Sequence, residues 1–97
     1  MDVIGLKKLH DFWRRHRDAE NALKAWHAEV VHAQWESPAD VKARYPKASI
    51  LKGSRVVFNI CGNKYRLVVQ INYELKKVLI RFIGTHADYD KIDAETI

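Results

Sequence analysis

The chain has one cysteine, Cys61, among its 97 residues. No internal disulfide can form, which excludes a small secreted scaffold stapled by cross-links. No apolar run approaches the roughly 18 residues of a membrane-spanning helix, and the N-terminus lacks the apolar stretch of a signal peptide. Glycine and proline are few, at four and two. No Gly/Ser linker, internal repeat or low-complexity segment interrupts the chain. A hydrophobic fraction of 47% with 30% charged residues is an ordinary globular composition. The length suits one hydrophobic core, so a single domain over residues 1–97 is expected, cytoplasmic and without a membrane partner.

Seventeen basic residues against twelve acidic ones give a net charge of +5. The excess is uneven. Residues 56–86 hold Lys64, Arg66, Lys76, Lys77 and Arg81 against Glu74 alone, while residues 87–97 set Lys91 against Asp88, Asp90, Asp93 and Glu95. A positive excess within an apolar, strand-rich segment points to an external anion, the other reading being a solvated basic surface.

The first half has helical periodicity. Leu6, Leu9, Phe12 and Trp13 form a stripe on a short helix from about Gly5 to His16. Asp18 is placed to cap a second helix carrying Ala22, Leu23, Trp26, Val30 and Ala33. Ser37-Pro38-Ala39-Asp40 starts a third, which Pro46 keeps short. Trp13, Trp26 and Trp35 read as core or groove anchors rather than a base-stacking platform. After Pro46 the pattern turns to strands at Arg55–Ile60, Tyr65–Asn72 and Val78–Gly84, with turns at Gly62-Asn63 and Glu74–Lys77. Asp2-Val3-Ile4 is a candidate for one more short strand. The expected fold class is α+β, with N-terminal helices packed on one face of a mostly antiparallel sheet.

Alternation of side chains sets an expected register. A first turn centred on Gly62-Asn63 pairs Asn59 with Arg66 and Phe58 with Leu67. A second centred on Leu75-Lys76 pairs Gln70 with Arg81, Val69 with Phe82 and Arg66 with Thr85. Asn59, Arg66, Gln70 and Arg81 then share the face without helices, and Arg66 lies beside Thr85-His86. Two arginines on a packed sheet suit a phosphate-binding surface. The competing reading pairs Arg66 with Asp88 or Asp90.

The last strand runs into Gly84-Thr85-His86-Ala87-Asp88-Tyr89-Asp90-Lys91, four functional residue types at a sheet end. A metal site on His86, Asp88 and Asp90 has little behind it, because no second His-rich element and no zinc-type cysteine spacing accompany it. Proton transfer suits the segment better, since histidine titrates near neutrality. RNA carries its own nucleophile in the 2′-hydroxyl. Its cleavage needs a base, an acid for the leaving 5′-oxygen, cations on the phosphate and alignment, with no metal cofactor required. Arg66 and Lys64 could supply the cations, and His86 and Tyr89 could exchange protons. Ser37, Ser49 and Ser54 lack a nucleophile-elbow context, which leaves a serine hydrolase without support.

The run Val57-Phe58-Asn59-Ile60-Cys61-Gly62-Asn63-Lys64-Tyr65-Arg66-Leu67, followed by Arg81-Phe82-Ile83-Gly84-Thr85-His86-Ala87-Asp88-Tyr89-Asp90-Lys91, resembles HigB-type toxins of bacterial toxin–antitoxin modules, part of the RelE-like superfamily. The helical half, with Trp26, Trp35 and Ser37–Lys42, fits as well, so the likeness covers nearly the whole chain. The resemblance implies a RelE-like fold, an mRNA endonuclease acting on mRNA in the ribosomal A site, and a cognate HigA-like helix-turn-helix antitoxin. It also implies that Arg66, in Tyr65-Arg66-Leu67-Val68, contacts the scissile phosphate. His86 matches a basic or imidazole group after the last strand, and Tyr89 a nearby C-terminal tyrosine. Lys64, Arg81, Asn63, Arg55 and Lys91 are the expected RNA-contacting set. The alternative function is a non-catalytic RNA- or ribosome-binding module using the same basic face.

Overall fold

The computed structural model describes residues 1–97. Strand β1 (Asp2–Ile4) leads into helix α1 (Leu6–Arg15) through Gly5, which has a left-handed backbone with φ 98°. A Cβ at Gly5 would meet the Ile80 carbonyl oxygen at 3.3 Å, so both conformation and space favour glycine. Helix α1 buries Leu9 and Phe12, as its periodicity requires. A single 3-10 turn (Arg17–Ala19) precedes α2 (Glu20–His32), which buries Leu23, Trp26 and Val30.

Asp18 therefore does not cap α2, as its position suggested. It lies inside the 3-10 turn, with its carboxylate turned to Lys64 and Tyr65. Helix α3 (Pro38–Arg44) starts at Pro38 as expected, but the Ser37 side chain makes no capping bond. Asp40 Oδ2 instead accepts from the Glu36 amide at 2.8 Å, tying the entry to the helix. Trp26 and Trp35 are buried against Phe58, with ring centroids 5.6 and 6.3 Å away, which confirms them as core anchors.

Strands β2 (Ser49–Ile50), β3 (Arg55–Ile60), β4 (Tyr65–Asn72) and β5 (Lys77–Thr85) complete a five-stranded sheet in the order β1-β5-β4-β3-β2. Only β1 runs parallel to its neighbour. Nineteen buried residues form the main core between helices and sheet, including Val56, Phe58, Ile60, Leu67, Val69, Ile71, Val78 and Ile80. The chain is thus an α+β protein, with helices packed on a mostly antiparallel sheet as expected. No helix is long and apolar enough to cross a membrane.

The β3–β4 register is the expected one, with Asn59 opposite Arg66 and Phe58 opposite Leu67. The β4–β5 register is not. The turn spans Tyr73–Lys76, closed by the Leu75 amide donating to Asn72 Oδ1 at 2.9 Å, and Asn72 faces Lys77. The turn centre is therefore one residue earlier than expected. A bulge follows: Val69 pairs with Ile80 and Val68 with Phe82, which leaves Arg81 as the extra residue. Arg66 consequently faces Gly84 rather than Thr85, and Gln70 faces Leu79 rather than Arg81. Past the bulge the faces exchange. Ile83 packs against the main core, while Phe82 moves to the other side of the sheet.

That other face is not bare. Val57 and Val68 form a second small core with Ala94, and Leu51, Phe82, Tyr89, Ile92 and Ile97 pack around it. The chain reaches this face through a short helix, α4 (His86–Tyr89), which starts at Thr85, where Oγ1 accepts from the Asp88 amide at 3.1 Å. The last residues of the chain thus cover part of the surface that the sequence left open.

Candidate active site

The pairing of β4 with β5 brings the two sequence segments of interest to one end of the sheet. Tyr65 faces Thr85, and the His86 amide donates to the Lys64 carbonyl at 3.2 Å. The start of α4 is thereby fixed to the start of β4.

Arg66 is half-buried, and its own turn orients it. Nη1 donates to the Asn63 carbonyl at 3.0 Å, and Nη2 donates to Asn63 Oδ1 at 2.6 Å. The guanidinium carbon lies 6.0 Å from the centroid of the Tyr89 ring, so α4 supplies an aromatic wall. Neither Asp88 nor Asp90 pairs with Arg66, contrary to the competing sequence reading. Asp90 Oδ2 meets His86 Nδ1 at 3.1 Å instead. Arg66 Nε–H has no partner, so the guanidinium retains directed donors that an incoming phosphate could take.

His86 is exposed, with its ring oriented by the Asp90 contact one helical turn away. Such a carboxylate favours a proton on Nδ1 and leaves Nε2 for exchange. Of the three conceivable metal ligands, His86 and Asp90 meet, whereas Asp88 directs its amide to Thr85 and joins no ligand group.

Lys64 is exposed but not free. Its ammonium forms an ion pair with Asp18, whose other oxygen accepts from Tyr65 OH at 2.6 Å. The same residue's carbonyl accepts from the Cys61 thiol at 3.1 Å. These contacts hold the Asp18 carboxyl below the ordinary carboxylate range, chiefly through the Lys64 hydrogen bond. The same bond raises the Lys64 pKa, and hydrogen bonding to Asp18 likewise raises that of Tyr65. The Tyr65 ring packs edge-on to Phe12 at 5.1 Å and His16 at 5.4 Å. The Lys64 charge is therefore held on the helix side of the turn, beside the Asp18 carboxylate.

The remaining expected contacts separate. Asn63 is exposed and serves the Arg66 side chain, and Lys91 is exposed just past α4. Arg81, freed by the bulge, donates from Nη2 to Gln70 Oε1 at 2.8 Å. It borders a shallow cleft with Lys8 and Arg15 of α1, two cations that the sequence reading did not single out. Their spacing of seven residues, two turns on one helix face, was the available signal. Arg55 is a correction. It is 8% exposed, and its guanidinium donates to the Ile97 main-chain oxygen at 3.1 and 2.6 Å and to the Gly53 carbonyl at 2.7 Å. Burial against the final residues removes it from the RNA-contacting set.

Residues 19–92 match the family model HigB_toxin, described as the RelE-like toxic component of a toxin-antitoxin system, and the chain belongs to this family. Residues 1–18, which supply β1, α1 and Asp18, lie outside the matched stretch. The chain is 29% identical over 92 residues to the mRNA interferase toxin HigB of Escherichia coli (strain K12), covering 93% of this chain and 88% of that protein. The mRNA interferase HigB of Shigella flexneri matches with the same identity and coverage. That of Escherichia coli O6:H1 (strain CFT073) is 22% identical over 94 residues, covering 95% of this chain and 91% of that protein.

Proposed function

We propose that the protein is the toxin of a type II toxin–antitoxin module and an endoribonuclease that cuts mRNA presented by the ribosome in its A site. The observation that carries this reading is Arg66, oriented by Asn63, walled by Tyr89 and free of any carboxylate, next to the segment bearing His86. The names of the relatives supply the substrate class.

In this mechanism the substrate's 2′-hydroxyl oxygen attacks the adjacent phosphorus and gives up its proton to a base. The phosphorus–5′-oxygen bond breaks, and the leaving oxygen takes a proton from an acid. The products are a 2′,3′-cyclic phosphate and a 5′-hydroxyl end. Arg66 binds the phosphate oxygens as charge builds on them. His86, whose ring Asp90 orients, and Tyr89 are the two proton-exchanging groups. Lys91 and Arg81, with Lys64 once it exchanges Asp18 for phosphate, hold flanking backbone. A cognate HigA-like helix-turn-helix antitoxin neutralises the toxin in the cytoplasm.

Induction in cells followed by mapping of mRNA 5′ ends, beside a translation-blocked control, tests the reading. Arg66→Ala should lower cleavage about 100- to 1,000-fold, and His86→Ala by about 100-fold or more, with both proteins folded. Cleavage at the wild-type rate by both variants would refute the assignment. Binding to ribosomes without any scission would point instead to a non-catalytic binding module.

A further inference from the structure

Between the α3–β2 loop and the outer edge of β3 lies a cleft of about 620 Å³, within the size range of small-molecule sites. Tyr45, Pro46 and Lys47 form one wall, Phe58 and Asn59 the other, and Asn63 closes the end. Apart from Asn63 at its end, the site described above does not use it.

Three features specify what it could hold. The first is a free strand edge. Strand β2 pairs only with Val56 and Val57, and the Leu51 amide donates to the Arg55 carbonyl at 2.9 Å. Main-chain groups alternate in direction along a strand, so Arg55, Val57 and Asn59 turn theirs the same way. Because β2 begins opposite Val57, the Asn59 N–H and C=O open onto the unpaired edge beside the cleft. The second feature is charge. No carboxylate lines the cleft, and Lys47 has no ion-pair partner, whereas Arg44 at the rim is held by Glu29 at 2.6 Å. The third is continuity with the candidate active site: Asn63, the residue that ends the cleft, is the one that orients Arg66 through two hydrogen bonds.

We propose that this cleft is a nucleoside subsite for the nucleotide adjoining the scissile phosphate. This deepens the endonuclease reading and rests on it. The Asn59 and Asn63 amides, each both donor and acceptor, address the hydrogen-bonding edge of the base. Tyr45 and Pro46 supply the apolar wall, and Lys47 neutralises the next phosphate along the strand. An extended peptide would also suit a free strand edge, but the direct coupling to Arg66 through Asn63 favours the nucleotide.

The experiment compares full-length wild type with Asn59→Ala, Lys47→Glu and Arg66→Ala in a translating extract, mapping every new mRNA 5′ end. Asn59 and Lys47 are exposed, so both variants should melt like wild type. Asn59→Ala is expected to flatten the base preference beside the cut by about 5- to 100-fold. Lys47→Glu should slow cleavage at all sites about tenfold, an effect that added salt narrows. If Arg66→Ala is inactive while Asn59→Ala and Lys47→Glu keep the wild-type cut-site pattern and rate, the subsite is refuted and the endonuclease assignment stands. If Arg66→Ala cleaves normally, the active-site assignment fails, and the subsite with it. Loss of antitoxin binding in Asn59→Ala and Lys47→Glu, with cleavage unaltered, would assign the cleft to a protein strand and overturn the proposal.

Discussion

Asp18 is the side chain whose role the sequence concealed most. As a residue before a helix it resembled a cap, yet it grips the turn that bears Lys64 and Tyr65. Nothing local announces a contact 46 residues away in sequence. Its carboxyl is held below the ordinary 3.8 by hydrogen bonds from Lys64 and Tyr65. A folded pKa below the unfolded one means that the contact contributes fully above pH 3.8 and is lost as pH falls through the lower folded value. Acid titration followed by the Lys64 and Tyr65 amide signals should therefore show the turn loosening in that range. Asp18→Asn should lack this step and expose the Lys64 charge at neutral pH. An unchanged acid profile in the variant would exclude the clamp. Arg66 was legible by contrast, because the turn at Cys61–Lys64 fixed its partner across β3 and the alternation fixed its face. Its freedom from the tail acids was not legible, since Asp90's choice of His86 depends on the one-turn helix α4.

Strands β3 and β4 could be bounded from the sequence because each is a long β-branched run with turn residues at both ends. The bulge in β5 could not. Arg81 gives no sign in composition that it is the unpaired residue, and the choice is made by whether Phe82 packs with the helices or with the final residues. The same element-level fit explains Arg55. Its position in a strand suggested a face to solvent, whereas its guanidinium secures the segment that carries Ala94 and Ile97. Arg55→Ala should cost about 1–3 kcal/mol, through loss of the charge-assisted hydrogen bonds to Gly53 and Ile97. Urea unfolding would measure that loss, and limited proteolysis should find residues 90–97 cut faster than in wild type. Equal stability and equal protection would show that the small second core holds the tail unaided.

For the whole molecule, the +5 charge resolves into regions with different duties. Asp18, Glu20 and Glu29 are committed to ion pairs with Lys64, Lys24 and Arg44, while Arg66, Arg81 and Lys91 have no carboxylate partner. A surface of that kind holds a polyanion by displacing its counterions, so affinity for RNA or ribosomes should fall steeply with salt. The logarithm of the binding constant against the logarithm of salt concentration is expected to be linear. Arg81→Ala should shallow the slope by about 0.7–0.9 per phosphate contact removed. A slope indifferent to that substitution would place Arg81 outside the interface. The overall α+β architecture was the most legible level of all, because helical periodicity ends and strand alternation begins on either side of Pro46.

The parallel pairing of β1 with β5 has a consequence for synthesis. Residues 2–4 leave the ribosome well before their partners, Lys77, Val78 and Leu79. The opening strand must wait, unpaired, until most of the chain has been made. Arg66 likewise emerges some twenty residues before His86. A nascent chain therefore cannot bring Arg66 beside the start of α4 until both β4 and β5 have been made.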